Sequence, residues 1–114
     1  LTQRRILLSF AVEVGLDALL PNSLTAQTAQ DIFYNSLRVT APRFYDDLQA
    51  SGAFSFYYLC VRDGRQVEEK VGETFASLCG KKDDPAYARM GQELFRRFSG
   101  QVRNFVDTLE FVRV

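Results

Sequence analysis

Apolar residues recur along this chain at intervals of three and four, the spacing that puts side chains on one face of an α-helix. The segment from about Thr2 to Leu20 gathers Ile6, Leu7, Phe10, Ala11, Val14 and Ala18 on one side, and Pro21 closes it. A second helix is predicted from an N-cap at Thr25 to about Val39, with Ala26, Ala29, Ile32, Phe33 and Leu37 on its apolar face. A third, about Pro42 to Ala50, presents Phe44, Tyr45 and Leu48 and stops at Ser51-Gly52. A fifth, about Gln66 to Cys79, carries Val67, Val71, Phe75 and Leu78 and ends at Gly80, a residue that tolerates the left-handed cap conformation.

The last helix has the clearest pattern. Asp83-Asp84-Pro85 offers an acidic N-cap followed by proline at the first helical position. Beyond it Phe95, Phe98, Val102, Phe105, Leu109 and Val112 form a heptad stripe. Arg89 with Glu93, Glu93 with Arg97, and Arg103 with Asp107 are i,i+4 neighbours that can pair beside the stripe. About 28 residues of helix would be about 42 Å long, more than the roughly 35 Å diameter of a domain this size.

The fourth segment is ambiguous. Residues 54–61 (Phe-Ser-Phe-Tyr-Tyr-Leu-Cys-Val) are β-prone and precede the hairpin-type dipeptide Asp63-Gly64. Only Phe111 to Val114 resembles a partner strand, and a lone two-stranded ribbon is marginal. The segment is therefore read as a buried helix, with a short strand as the alternative. The expected fold is all-α: an irregular or orthogonal bundle of five to six helices with a long C-terminal helix, in a single helical domain over 1–114.

Composition narrows the chemistry. The chain has 114 residues, 46% hydrophobic and 25% charged, with fourteen basic and fourteen acidic side chains. Zero net charge gives no broad attraction to nucleic acid or anionic membrane. Histidine is absent, which removes the Ser-His-Asp triad, the Cys-His pair and His-ligated zinc chemistry. Cys60 and Cys79 form no C-x-x-C motif. In a hairpin turning near Gly64 they would be offset by roughly 16 Å, too far for a disulfide. They are read as core thiols, the reactive alternative resting on Lys81 and Lys82 beside Cys79. Sparse cysteine, no sequon, and no apolar stretch of about 18 residues make a cytoplasmic, reduced setting the expectation. The chain starts at Leu1 without methionine, which accords with processing or a longer parent.

Other constellations are weak. Gly80-Lys81 lacks both the upstream glycine and the following Ser or Thr of a phosphate loop and reads as helix punctuation. The pairs Asp46-Asp47, Glu68-Glu69 and Asp83-Asp84 match no calcium loop or di-iron motif. Arg89, Arg96 and Arg103 make a strip on the last helix, read as a solvated face laced with Glu93, Asp107 and Glu110 rather than as an anion-binding ridge. No cofactor, metal or catalytic residue is expected, and an enzyme is disfavoured.

The unusual feature is aromatic content. Ten Phe and five Tyr occur without any Trp. Phe56, Tyr57 and Tyr58 fan over about 200° of a helix, so they cannot share one core. The candidate partner or ligand surface is Tyr45, Phe56, Tyr57, Tyr58, Phe111 and Val114. The expected function is a non-catalytic protein-interaction or assembly module, with self-association through the last helix. The alternative is a small-molecule-binding domain with an aromatic pocket between helices three to five. Nucleic acid and membrane are disfavoured as partners.

Overall fold

The structure is a computed structural model that describes residues 2–20 and 22–113, with side chains described as far as 108. Among these residues the chain is all helix and turn: α1 (Thr2–Leu19), α2 (Ser23–Thr40), α3 (Pro42–Ser51), α4 (Ala53–Val61), α5 (Val67–Leu78) and α6 (Pro85–Arg113). The ambiguous fourth segment is helical. Its hydrogen bonds close within itself, so it needs no partner strand.

Local chemistry sets the boundaries. Asn22, not Thr25, caps α2: its side-chain oxygen accepts from the Thr25 backbone N–H at 2.8 Å. Asparagine offers an acceptor of the preferred type three residues earlier, so the helix starts sooner than the sequence pattern suggests. Pro42 opens α3, and Gly52, in the left-handed region, separates α3 from α4. At the α4–α5 turn, Asp63 accepts from the Arg65 N–H at 2.9 Å and pairs with Lys70 at 3.0 Å. The Arg65 N–H bond and the Lys70 ammonium hold the Asp63 carboxyl below its ordinary range. At the end of α5, Lys81 N–H bonds Ala76 O at 2.8 Å and Gly80 N–H bonds Ser77 O at 3.0 Å, with Gly80 at φ 75°. This is a Schellman stop. Asp84 then accepts from the Ala86 N–H at 2.9 Å, with Pro85 first in α6.

The most extensive helix contact joins α5 and α6, which run antiparallel. Gly72 lies against the backbone of α6: a Cβ there would strike Ala88 O and lie 3.1 Å from Gln92 N. Reciprocally, Gly91 sits under Phe75, with 2.6 Å left for a Cβ. Two missing side chains thus let the helices approach and bury Val71, Phe75 and Ala76.

Helix α1 crosses this pair. Phe10 meets Phe95 and Gly15 meets Val102, so α1 and α6 advance in the same direction. Phe10, with no exposed surface, is an aromatic hub. Its ring stacks on Tyr57 at 5.1 Å and meets Phe54 and Tyr58 edge-on at 5.4 and 5.2 Å. The main core combines Ile6, Leu7 and Phe10 with Leu48, Tyr57, Phe75 and Phe95, drawing on α1, α3, α4, α5 and α6. A smaller cluster of Leu16, Val102 and Val106 extends it between α1 and α6.

Two features depart from the sequence pattern. On α6, Phe95, Phe98 and Val102 are buried as expected, but the next buried residue is Val106, while Phe105 is 58% exposed. At about 100° per residue Phe105 points between the directions of the buried Leu94 and Phe98 and is exposed because α2 leaves that side of α6 uncovered, whereas Val106 points with Phe95 and Val102 toward α1. Leu109 and Val112, the rest of the expected stripe, lie outside the residues whose side chains are described. The other departure is α2, of which only Ala26 is fully buried while Leu24, Ile32 and Val39 are more than half exposed. The molecule measures 47 × 32 × 20 Å, and α6, about 43 Å of helix at 1.5 Å per residue, runs nearly its full length.

Gly72→Ala and Gly91→Ala should each lower stability by about 1–3 kcal/mol through overpacking. Gly100→Ala, where an added Cβ meets nothing within 4 Å, should raise it by about 0.5–1 kcal/mol. Urea denaturation of the three variants checks the contrast.

Candidate functional site

An apolar groove of about 540 Å³ opens between α1, α2 and α6. Its floor is Leu8, Val12 and Leu16 of α1. One wall is Ala29, Ile32, Phe33 and Ser36 of α2, and the other is Phe98, Gln101, Val102 and Phe105 of α6. The groove follows from the placement of α2, which rests on α1 and α3 rather than on α6. Ile32 is 65% exposed on one rim and Phe105 faces it from α6. Among the described residues only Ser36 and Gln101 bring polar side chains to the lining and none of them is charged, so this surface offers burial to apolar groups.

The sequence-derived candidates fall elsewhere. Tyr57 is fully buried and belongs to the core, a correction to its place in the candidate surface. Its central position among the three consecutive aromatics points it inward against Phe10, while Phe56 and Tyr58 turn to solvent on either side. Phe56 and Leu59 lie on the outer side of α4, and Tyr45 on α3 is half-buried. Val114 and the side chain of Phe111 lie outside the described residues. None of the four described candidates, Tyr45, Phe56, Tyr57 and Tyr58, lines the groove. A signal for the groove does exist in the sequence: the adjacent apolar residues Phe105-Val106 and Ile32-Phe33 each exceed what one buried face can take.

Polar contacts fasten α2 to α1. Gln30 Nε2 donates to Glu13 O at 2.9 Å, and the Tyr34 hydroxyl donates to Glu13 Oε1 at 2.8 Å. Burial raises the Glu13 pKa above the usual carboxylate range against the Tyr34 hydrogen bond, with the Asp17 charge adding to the rise. Burial and the bond to Glu13 push the Tyr34 hydroxyl far above its ordinary value.

The cysteines are free thiols. Cys60 Sγ lies 3.2 Å from Thr74 Oγ1, so it faces α5 much nearer to Cys79 than the roughly 16 Å offset expected. Thr74 and Cys79 are five residues apart, or about 7.5 Å of helix rise. The five turn residues from Arg62 to Gln66 shift the register of α5 toward its C-terminal end. Burial raises the Cys79 thiol, opposite to what a nucleophile requires, and Lys81 lies over the Tyr87 ring instead, at 5.8 Å.

The arginine strip is partly structural. Arg96 binds Glu68 of α5 with Nε at 3.0 Å and Nη2 at 2.6 Å. Among the described residues none of the three expected i,i+4 ion pairs on α6 forms; the partner comes from the adjacent helix. No group of three or more metal-ligating side chains occurs among the described residues.

Among the described residues the buried Tyr57 hydroxyl finds no hydrogen-bond partner, and burial pushes its pKa above the ordinary tyrosine value. An unsatisfied buried hydroxyl costs about 1–3 kcal/mol. Tyr57→Phe should therefore stabilise the fold by about 1 kcal/mol, read as a higher urea midpoint with an unchanged slope.

Comparison with protein-family models, curated proteins and solved structures finds no match, so the reading of this molecule rests on its own geometry.

Proposed function

We propose that this chain is a non-catalytic helical interaction module that receives an amphipathic helix of a partner protein in the α1/α2/α6 groove. The supporting observation is the groove itself: its described lining is uncharged and almost wholly apolar, and it opens between two helices with Ile32 and Phe105 on its rims. Helix-in-groove recognition uses such a surface, with apolar anchors at helical spacing on the incoming segment. A second copy, offering the apolar positions of its own last helix, is one partner of that chemistry. Phe56 and Leu59 on α4 supply a separate, shallower contact. No helix among the described residues is long and apolar enough to cross a membrane, and a cytoplasmic setting would keep Cys60 and Cys79 as thiols.

The groove volume also lies in the range of small-molecule sites, which sustains the ligand-binding alternative at this place rather than among helices three to five. Selection of helical peptides against the protein separates the readings. Peptides with apolar residues at i, i+3 or i+4, and i+7 should bind. Their affinity should fall at least about tenfold, or 1.4 kcal/mol, on Ile32→Asp or Phe105→Asp. Both sites are mostly exposed, so melting temperatures should change little. Peptides that bind the variants equally well, or a selection that yields none, would remove the interaction reading. A mass that rises with concentration in sedimentation, and stops rising in Phe105→Asp, would identify the partner as a second copy.

A further inference from the structure

Away from the groove, α1, α2, α3 and α4 enclose a cleft of about 330 Å³ lined by Glu13, Tyr34, Leu48, Gln49, Phe54 and Ser55, with Gly52 at its edge. We propose that this cleft binds a primary alkylammonium group, with Glu13 as its counter-ion.

Three observations point to a cation. Glu13 is a partly buried carboxylate with no ion-pair partner among the described residues; the pairs there are Lys70–Asp63 and Arg96–Glu68. Its Oε1 accepts from Tyr34, and among the described residues no hydrogen bond occupies Oε2. The wall formed by Leu48, Gln49 and Gly52 is the C-terminal end of α3, where the helix dipole is negative and the last turn holds no basic residue. The aromatic side chains of Tyr34 and Phe54 complete the lining, and aromatic faces favour cations. The Gln49 amide and Ser55 hydroxyl supply acceptors for the remaining ammonium protons, and Leu48 gives an apolar surface for a short alkyl stem.

The shared chemistry admits a free alkylamine or the lysine side chain of a partner. The test follows the backbone amides of Gly52 and Ser55 by NMR during titration with n-propylammonium chloride. Saturable shifts are expected with propylammonium and not with n-propanol. Nα-acetyl-lysine N-methylamide separates the sources: binding at least as tight as propylammonium assigns the cleft to a lysine side chain, and exclusion assigns it to free amines. Glu13→Gln, which keeps an acceptor for Tyr34, should weaken binding at least about tenfold with the helical circular dichroism intact. Gln49→Lys, at an exposed position, should abolish binding by placing a tethered ammonium beside Glu13, and it serves independently if Glu13→Gln impairs folding. Equal shifts with propanol, no saturable shift with any probe, or full affinity in a folded Glu13→Gln or Gln49→Lys variant would overturn the assignment. None of these readouts involves the α1/α2/α6 groove.

Discussion

The close approach of α5 and α6 is the constraint on which the rest of the structure depends. Gly72 and Gly91 remove the two side chains that would hold the helices apart, and the interface closes until Phe75 rests on the α6 backbone at Gly91. This geometry fixes the direction of α6, and α6 presents Phe95, Phe98 and Val102 to α1. Dense packing makes such a contact intolerant of an added methyl group. Phe10 then joins α4 to this frame by ring contacts, so the aromatic cluster is a second layer built on the helix pair.

Helix α2 is held by different forces. One alanine is buried against its neighbours, and two side chains reach the same residue of α1, Glu13. Because α2 rests on α1 and α3 and leaves α6 uncovered, the same placement produces the apolar groove on one side and the Glu13 cleft on the other. The two proposed sites thus share α2 as a wall while differing in chemistry: one excludes charge, and the other concentrates negative potential.

Much of the fold is legible in the sequence because helix punctuation is local. Pro42, Gly80 and Asp84-Pro85 act where the pattern places them, and the fan of Phe56, Tyr57 and Tyr58 divides between core and solvent as helical geometry requires. What is not legible depends on contacts between helices. Phe105 lies on the same side of α6 as the buried Phe98, and it is exposed because α2 leaves that side uncovered. Arg96 has acids on its own helix and instead meets Glu68 across the α5–α6 interface, which the sequence spacing on α6 does not encode. The surplus apolar pairs Ile32-Phe33 and Phe105-Val106 signal apolar surface beyond one buried face, but that these faces meet across a groove is a property of how the helices are arranged.

The parallel contact of α1 with α6 bears on the route by which the chain folds. The α5–α6 hairpin closes over a short turn and costs little chain entropy, whereas seating Phe10 against Phe95 must close a loop of about three quarters of the polypeptide. Local closure thus favours the hairpin ahead of the α1 contact, and α2, with Ala26 its one fully buried residue and its polar anchors on Glu13, depends on α1 being in place.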